Sequence, residues 1–513
     1  MQDHSQRTRQ IAKNTLMLYG RMLFSMVVSL YTSRVVLNTL GVVDYGVYSV
    51  VGGFVSMFSI ISSSLSSSVS RFLTFELGQG DKERLAKAFS ISLLIHIALA
   101  ILVFIVAETI GIWFVNNKMT IPINRLNAAN WVFHSSTFAF MFGLLGVPYT
   151  ASIVSHEKMN AFAYIGIFDT ILKLSIVLFI AYSSWRFDRL IVYSILLTAE
   201  SVLLQGIYIS YCRKHFQECN LKISFDKELW KGISSFAGWN FIGCAAAILK
   251  DQGVNVLINL FIGPILNAAR SVAGSVNNAV SGFVGNFMTA LTPQITKSFA
   301  KGDIKFSHYL MEKGSRFSFY ILMYFTIPII LETDIILKIW LKQCPEHSSN
   351  FVRLVLILSM VDCLSNTLIT LQHAVGNIRN YQLVVGSILL LNFPLSYIFL
   401  KLGFGPESTY IVAISVAVIC LIVRLLFVKK STQLSVVTFL KNVVLNVSMV
   451  FISAYIVPYL LHVLIPYGWL RLFVVGSVSV FSTTVAILFV GCSSNERSFI
   501  IEKFITFVSG IRK

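Results

Sequence analysis

Charged side chains that interrupt long apolar runs are the residues of this sequence most able to do chemistry. A charge inside a membrane span is costly unless it faces a partner or a water-filled cavity, so each one is a candidate functional residue. The basic members could bind a phosphate-bearing anion, and the acidic members could bind Na⁺ or a proton. The set comprises Arg21, Arg34, Asp169, Lys173, Glu200, Lys250, Asp251, Arg270, Asp362 and Arg424.

Four of the cations are predicted to lie at successive depths, as a ladder that could pass an anion across a membrane. Arg21 lies roughly 13 Å into its helix at about 1.5 Å per residue, Lys250 lies near the middle of its helix, and Arg270 lies near the outer end. Arg34 is also near an outer end, where an arginine often reaches the interface as a simple anchor, so both roles stay open. Arg424 is expected to be such an anchor.

Three of the acids, Glu200, Asp251 and Asp362, are predicted to lie near the middle of their helices. Each could bind Na⁺ or a proton and couple transport to an ion gradient, or could neutralise a nearby cation, and the sequence leaves this choice open. Asp169 and Lys173 are four residues apart with the acid first, which is the favourable order for an ion pair within one helix.

The composition places the chain in the membrane. Its 513 residues are 56% hydrophobic and 12% charged, against about 25% charged in soluble domains. Apolar runs of about 20 residues recur along the whole length, and each is long enough to span a bilayer. They predict an all-α multi-pass protein with about fourteen membrane helices, near 12–36, 46–68, 89–115, 128–152, 161–182, 189–212, 235–260, 265–291, 314–340, 351–375, 381–401, 408–428, 441–464 and 469–491.

The second half of the sequence repeats the first at an offset of 222 residues. Duplicated helical bundles of this kind are typical of transporters. We therefore predict a lobe of six helices at 1–222, a second lobe at 223–435, and an extra helix pair with a tail at 436–513. The matching pairs are Ser49-Val50-Val51-Gly52 with Ser271-Val272-Ala273-Gly274, Gly41 with Gly263, and Gly80-Asp81 with Gly302-Asp303.

The net charge of +18 is explained by topology. Most of the lysines and arginines outside the predicted spans fall in loops on one side of the membrane, and such loops are cytoplasmic by the positive-inside rule. Both termini are therefore predicted to be cytoplasmic, and nucleic acid is not an expected partner. The seven cysteines form no CxxC pair, so no metal or other cofactor is expected beyond the ion-coupling role of the acids.

The turn between the first two predicted helices resembles a known transporter family. Residues 33–48 carry an LG…YG-x-Y pattern, and Arg71-Phe72 follows a serine-rich helix. This resembles the polysaccharide transporters of the MATE-like MOP superfamily, the O-antigen flippases. The resemblance implies transport of undecaprenyl-pyrophosphate-linked oligosaccharide across the bacterial inner membrane, alongside other polysaccharide-assembly proteins. It also implies that the arginines of helices 1 and 8 face a central cationic cavity, which singles out Arg21, Arg34 and Arg270.

Three other functions remain open on the sequence. The sibling lipid II flippases have the same architecture, and MATE multidrug exporters have the same fold with acidic cavity residues. A membrane polymerase is the main enzymatic alternative, but such enzymes usually carry a large outer loop. The predicted outer loops are short and no hydrolase, metalloprotease or nucleotide-binding motif occurs, so the sequence predicts a transporter that is not an enzyme.

Overall fold

A computed structural model describes residues 2–56, 58–117, 119, 121–183, 187–220, 226–261, 264–341, 345–494 and 496–498. Within these ranges the chain is helical almost throughout and has no strand. An apolar segment in lipid has to satisfy its backbone hydrogen bonds internally, and a helix does so within one segment. The prediction of an all-α membrane protein is confirmed.

Eighteen α-helices are assigned along the described residues. The first nine are α1 (Gln2–Ser56), α2 (Ser59–Gln79), α3 (Lys82–Val106), α4 (Ile112–Asn117), α5 (Leu126–Ser155), α6 (Met159–Tyr182), α7 (Arg189–His215), α8 (Lys227–Phe261) and α9 (Pro264–Ala300). The next nine are α10 (Ile304–Leu331), α11 (Thr333–Leu341), α12 (Ser348–Val375), α13 (Arg379–Leu390), α14 (Asn392–Lys401), α15 (Ser408–Thr432), α16 (Val436–Phe439), α17 (Asn446–Leu464) and α18 (Trp469–Ala486). Short π-helical turns occupy Ala107–Gly111, Leu440–Leu445 and Ile487–Gly491.

Eleven helical segments of the described residues are long and apolar enough to cross a membrane. They correspond to the predicted spans 3–7 and 9–14, so the exact count of fourteen is not confirmed. The other three predicted spans fall on α1, α2 and α9. Serine in α2 and asparagine with glycine in α9 lower the hydropathy of those helices, although both are helical as predicted.

The first two predicted helices have boundaries that the apolar pattern did not indicate. The chain is helical from Gln2 to Ser56, with one break at Gly41, where φ is 78° and ψ is 169°. A positive φ is favourable only for glycine, so Gly41 allows the chain to change direction without a longer loop. The predicted second span, 46–68, is shared between two helices. Its first part belongs to α1, which ends at Ser56, and its second part belongs to α2, which begins at Ser59.

One repeated sequence motif forms the same turn twice. Gly80 ends α2 with φ 81°, and the Asp81 side chain accepts a hydrogen bond from the first turn of α3. Gly302 follows α9 with φ 78°, and Asp303 directly precedes α10. A left-handed glycine after a helix satisfies its last carbonyls, and a following Asp can cap the next helix. The motif is therefore a helix-ending turn in both halves.

The chain divides into two compact units. The first unit comprises Met1–Ala245 with two short later segments, Thr292–Asp303 and Gly376–Arg379. In it, α5 packs against α7 and α1 packs against α6. Its core includes the edge-to-face pair of Phe89 and Tyr149, with ring centroids 5.1 Å apart.

The second unit comprises Ala246–Leu291, Ile304–Val375 and Asn380–Lys513. In it, α12 packs against α15, α10 packs against α12, and α17 packs against α18. Tyr410 and Phe351 contact each other in its core at 5.2 Å. The lobe boundaries at 222 and 435 that the repeat indicates stay a prediction.

The two short segments are attached to the first unit by polar contacts. Glu157 accepts hydrogen bonds from Lys297 at 2.6 Å and from Gln294 at 2.5 Å. Arg379 lies over the ring of Trp239 at 5.1 Å. Both segments come from the second half of the sequence, yet they belong to the first unit. The compact units are therefore not two continuous halves of the chain.

Candidate functional site

The first unit contains a cluster of two carboxyls and one lysine, here called the carboxyl cluster (Asp169, Lys173 and Glu200), in which Glu200 is buried and Lys173 is exposed. Lys173 Nζ lies 2.7 Å from Asp169 Oδ1, which confirms the predicted ion pair within α6. Glu200 comes from α7, is 5% exposed, and interacts electrostatically with Asp169.

Arg21 lies beside the carboxyl cluster. Its guanidinium is 4.7 Å from the centre of the Phe162 ring and interacts electrostatically with Asp169. Its side chain passes close to Gly166, where an added Cβ would lie 2.7 Å from Arg21 Cδ. The contact of α1 with α6 therefore depends on a glycine opposite the arginine.

A cavity of about 470 Å³ opens next to these residues within the first unit. Lys173 and Glu200 line it, so both charged groups are accessible from the cavity. The Oε1 atom of Glu200 is buried without a hydrogen-bond partner among the described residues. A small cation or a proton would satisfy that atom. The remaining polar lining is Tyr48, Ser136, Ser194, Thr198 and Ser201.

The second unit contains a cluster of opposite character, here called the cation cluster (Lys250, Asp362 and Arg424). Lys250 on α8 is 7% exposed and Arg424 on α15 is 8% exposed. Asp362 on α12 interacts electrostatically with both cations. Two buried positive charges thus face one carboxylate. The expectation that Arg424 is an interfacial anchor is wrong, because its side chain is buried inside the second unit and interacts electrostatically with Asp362 and Tyr381.

Arg270 forms a second basic group in the same unit. Its guanidinium lies 4.9 Å from the centre of the Tyr410 ring, which joins α9 to α15. Asp251, which lies on α8, interacts electrostatically with Tyr410, and the Asp251 side chain is exposed. An arginine held flat on an aromatic ring keeps its N–H edge available for an anion.

The seven predicted site residues are placed as follows. Arg21 and Glu200 belong to the first unit, whereas Lys250, Asp251, Arg270 and Asp362 belong to the second. Arg34 lies on α1, but its side chain is outside the described residues. The structure brings Lys250 together with Asp362, and Glu200 together with Asp169. The continuous ladder of four cations stays a prediction.

Sequence reasoning missed the contacts that join different helices. Asp169 and Glu200 are 31 positions apart, and hydropathy does not reveal which faces of two helices meet. The burial of Arg424 was missed for the same reason, since its distance from the end of the helix was the only signal used. The sequence did carry one signal for Glu200 and Arg424. Each of them is a charged residue that interrupts an apolar run, and such residues are functional candidates.

Residues 9–299 match the sequence model of a family described as polysaccharide biosynthesis protein. This match covers more than half of the chain. No curated protein matches the sequence.

Solved structures of MATE and other MOP superfamily transporters share the fold. A MATE protein in complex with MaD3S has a TM-score of 0.72 and 13% identity, covering 83% of this chain and 96% of that one. An outward-facing multidrug resistance MATE transporter gives 0.70 at 13% identity, covering 82% and 96%. A MOP superfamily transporter from Pyrococcus furiosus, described as having a binding pocket of reverse polarity, gives 0.69 at 14% identity, with the same coverage. At such identities the likeness shows the fold alone.

Proposed function

Because the chain belongs to the polysaccharide biosynthesis protein family, we propose that it is a flippase for a lipid-linked oligosaccharide. The proposed substrate is an undecaprenyl-pyrophosphate-linked repeat unit of O-antigen, capsule or exopolysaccharide. The observation that carries the proposal is the family match on a chain with the fold of MOP superfamily transporters. The simplest role for a polysaccharide biosynthesis protein with a transporter fold is to move the lipid-linked glycan across the membrane.

The chemistry of this substrate fits the cations of the second unit. Its lipid tail can stay in the bilayer, but its pyrophosphate carries negative charge and needs cationic partners along a polar path. Arg270 would bind a phosphate through two parallel hydrogen bonds, and Lys250 would act as a point charge. Asp362 would keep the basic groups charge-balanced while no substrate is bound, since unpaired buried charge is costly.

The carboxyl cluster is proposed to couple transport to an ion gradient. A proton or Na⁺ at Glu200 and Asp169 would enter from the cavity beside them. Ion binding and release would then bias the alternation between inward-open and outward-open states, since an ion shifts an equilibrium only by its differential affinity. Asp251 and Asp362 are the alternative ion sites on the sequence, but both interact with nearby basic or aromatic groups of the second unit.

The proposed setting is the bacterial inner membrane, with both termini cytoplasmic and other polysaccharide-assembly membrane proteins as partners. The positive-inside distribution supports this orientation. No catalytic activity is proposed for the chain. A lipid II flippase is the nearest alternative, because it would use the same cationic chemistry on a different headgroup.

A multidrug cation antiporter is the second candidate function, and the carboxyl cluster is the observation that favours it. An antiporter for organic cations needs a buried acid and tolerates the loss of buried cations. The proposed flippase, in contrast, needs the cations in order to bind its substrate. Substitutions at Glu200 and Arg270 therefore separate the two functions.

The test is the sidedness of lipid-linked oligosaccharide in cells that lack the protein. The proposal expects intact glycan on the cytoplasmic leaflet, rescued by the wild type and not by Arg270→Ala. Arg189→Ala is a matched control, because this exposed arginine makes one hydrogen bond within the described part of the chain, to the Thr39 carbonyl. Normal sidedness without the protein would overturn the proposal, and efflux of organic cations would then support the antiporter.

A further inference from the structure

A cavity of about 360 Å³ lies in the second unit where α10, the π-turn Leu440–Leu445 and α17 meet. It sits at one end of three spans, since a single residue, Glu496, contacts Lys313 and Arg316 of α10 just beyond the end of the last span. The cavity therefore lies at the depth of a membrane interface. Its lining is Glu312, Lys313, Arg316, Lys441, Asn442, Leu445, Asn446 and Met449.

The polar part of this cavity has an excess of positive charge. Glu496 is shared by Lys313 and Arg316, with Arg316 Nη2 at 2.9 Å. Glu312 accepts a hydrogen bond from Asn442 at 3.0 Å. Lys441 is exposed and has no carboxylate partner among the residues that the structure describes. The cavity thus presents a cation that no carboxylate of the described residues neutralises.

Glu496 remains the negative partner of this group. Burial raises the pKa of its carboxyl, but hydrogen bonds from Lys313 and from the Ser493 backbone, with the charge of Arg316, outweigh burial and lower the pKa overall. The Arg316 guanidinium also donates a hydrogen bond to the Gly491 carbonyl at 3.2 Å and is 8% exposed. The floor of the cavity is therefore a fixed network, and Lys441 is its accessible edge.

An apolar stripe begins inside the same cavity and runs along α17. Leu445 and Met449 line the cavity, and Ile452 and Ile456 continue the line. Their spacing of four, three and four places them on one face of a helix. All four are between 44% and 58% exposed, so the stripe is open to hydrocarbon chains.

We propose that this cavity binds one anionic phospholipid of the surrounding membrane, with its phosphate at Lys441 and its acyl chains along the α17 stripe. The charge excess selects a lipid with net negative charge over a zwitterionic one. Basic pockets between membrane helices are a recurrent place for such headgroups. The site is separate from both charge clusters and does not depend on the transported substrate.

The test measures lipid binding to the full chain in detergent by native mass spectrometry. Phosphatidylglycerol is expected to bind more tightly than phosphatidylcholine. The variant Lys441→Gln should weaken phosphatidylglycerol about fivefold, the effect of one cation near a membrane surface. Lys430→Gln is the matched control: it removes the same charge from the exposed last turn of α15, outside the cavity, and should leave binding unchanged.

Two further measurements separate this proposal from its alternatives. Met449→Asn should weaken phosphatidylglycerol while the cations stay intact, because the acyl path is interrupted. Glycerol phosphate alone should not compete with the lipid. Equal binding of the two lipids, equal weakening by Lys441→Gln and Lys430→Gln, or full competition by glycerol phosphate would overturn the proposal.

Discussion

The charged clusters of the two units differ in what they bury: Glu200 in the first unit, and Lys250 and Arg424 in the second. The carboxyl cluster of the first unit joins two carboxyls to one lysine, with Arg21 beside them. The cation cluster of the second unit joins two cations to one carboxylate. A buried carboxyl that lines a cavity suits a proton or Na⁺, and buried cations suit a phosphate. On our proposal, the first unit is thus fitted for a cation and the second for an anion.

The largest expected effect is on the stability of the cation cluster. Asp362→Asn would leave Lys250 and Arg424 buried without their carboxylate, and should lower the free energy of unfolding by about 3–5 kcal/mol. Denaturant unfolding in detergent measures this loss. Asp251→Asn, at an exposed acid, is the control and should change stability by about 0.5 kcal/mol or less. Equal effects of the two variants would mean that the cation cluster has no buried charge to balance.

The next effect is on substrate binding at the same cluster. Lys250→Gln should weaken binding of a polyprenyl-pyrophosphate oligosaccharide about tenfold or more, which corresponds to one lost hydrogen bond to a charged group. Equilibrium binding to the purified protein measures it. Lys401→Gln is the control, because Lys401 lies at the end of α14 over the Tyr397 ring. Unaltered binding in Lys250→Gln would contradict the proposal that the second unit binds the pyrophosphate.

The carboxyl cluster should affect coupling and leave substrate affinity intact. Glu200→Gln keeps the shape of the side chain but removes the buried carboxyl beside Asp169 that is proposed to bind the ion. Transport driven by an imposed ion gradient should fall to the rate without a gradient, while substrate binding stays at the wild-type level. Glu108→Gln is the control, since Glu108 pairs with His134 elsewhere in the first unit at 2.8 Å. A loss of substrate affinity in Glu200→Gln would contradict the division of roles.

The smallest effect concerns the later segments that join the first unit. Glu157→Gln retains a hydrogen-bonding side chain opposite Gln294 but removes the ion pair with Lys297. The expected loss is about 1 kcal/mol, at the upper end for partly exposed ion pairs. Thermal unfolding measures it. The control is Glu83→Gln at the exposed pair to Lys87, which should change stability less. A larger loss from Glu83→Gln than from Glu157→Gln would refute this order.

The sequence predicts single helices better than contacts between them. The predicted spans 161–182 and 469–491 agree closely with Met159–Tyr182 and Trp469–Gly491, because length and hydropathy are local properties. The division of the second helix after Ser56 was not predictable, since serine is compatible with a helix on either side. The pair of Asp169 with Glu200 depends on how α6 and α7 are rotated, and a single sequence carries little information about that rotation.

The most direct test of the central claim is the transfer of labelled polyprenyl-pyrophosphate oligosaccharide between the leaflets of proteoliposomes. Wild type and Lys250→Gln are compared at equal protein incorporation. Our account predicts protein-dependent transfer in the wild type and its loss in Lys250→Gln. Equal transfer by both proteins would contradict the claim that the second unit carries the pyrophosphate.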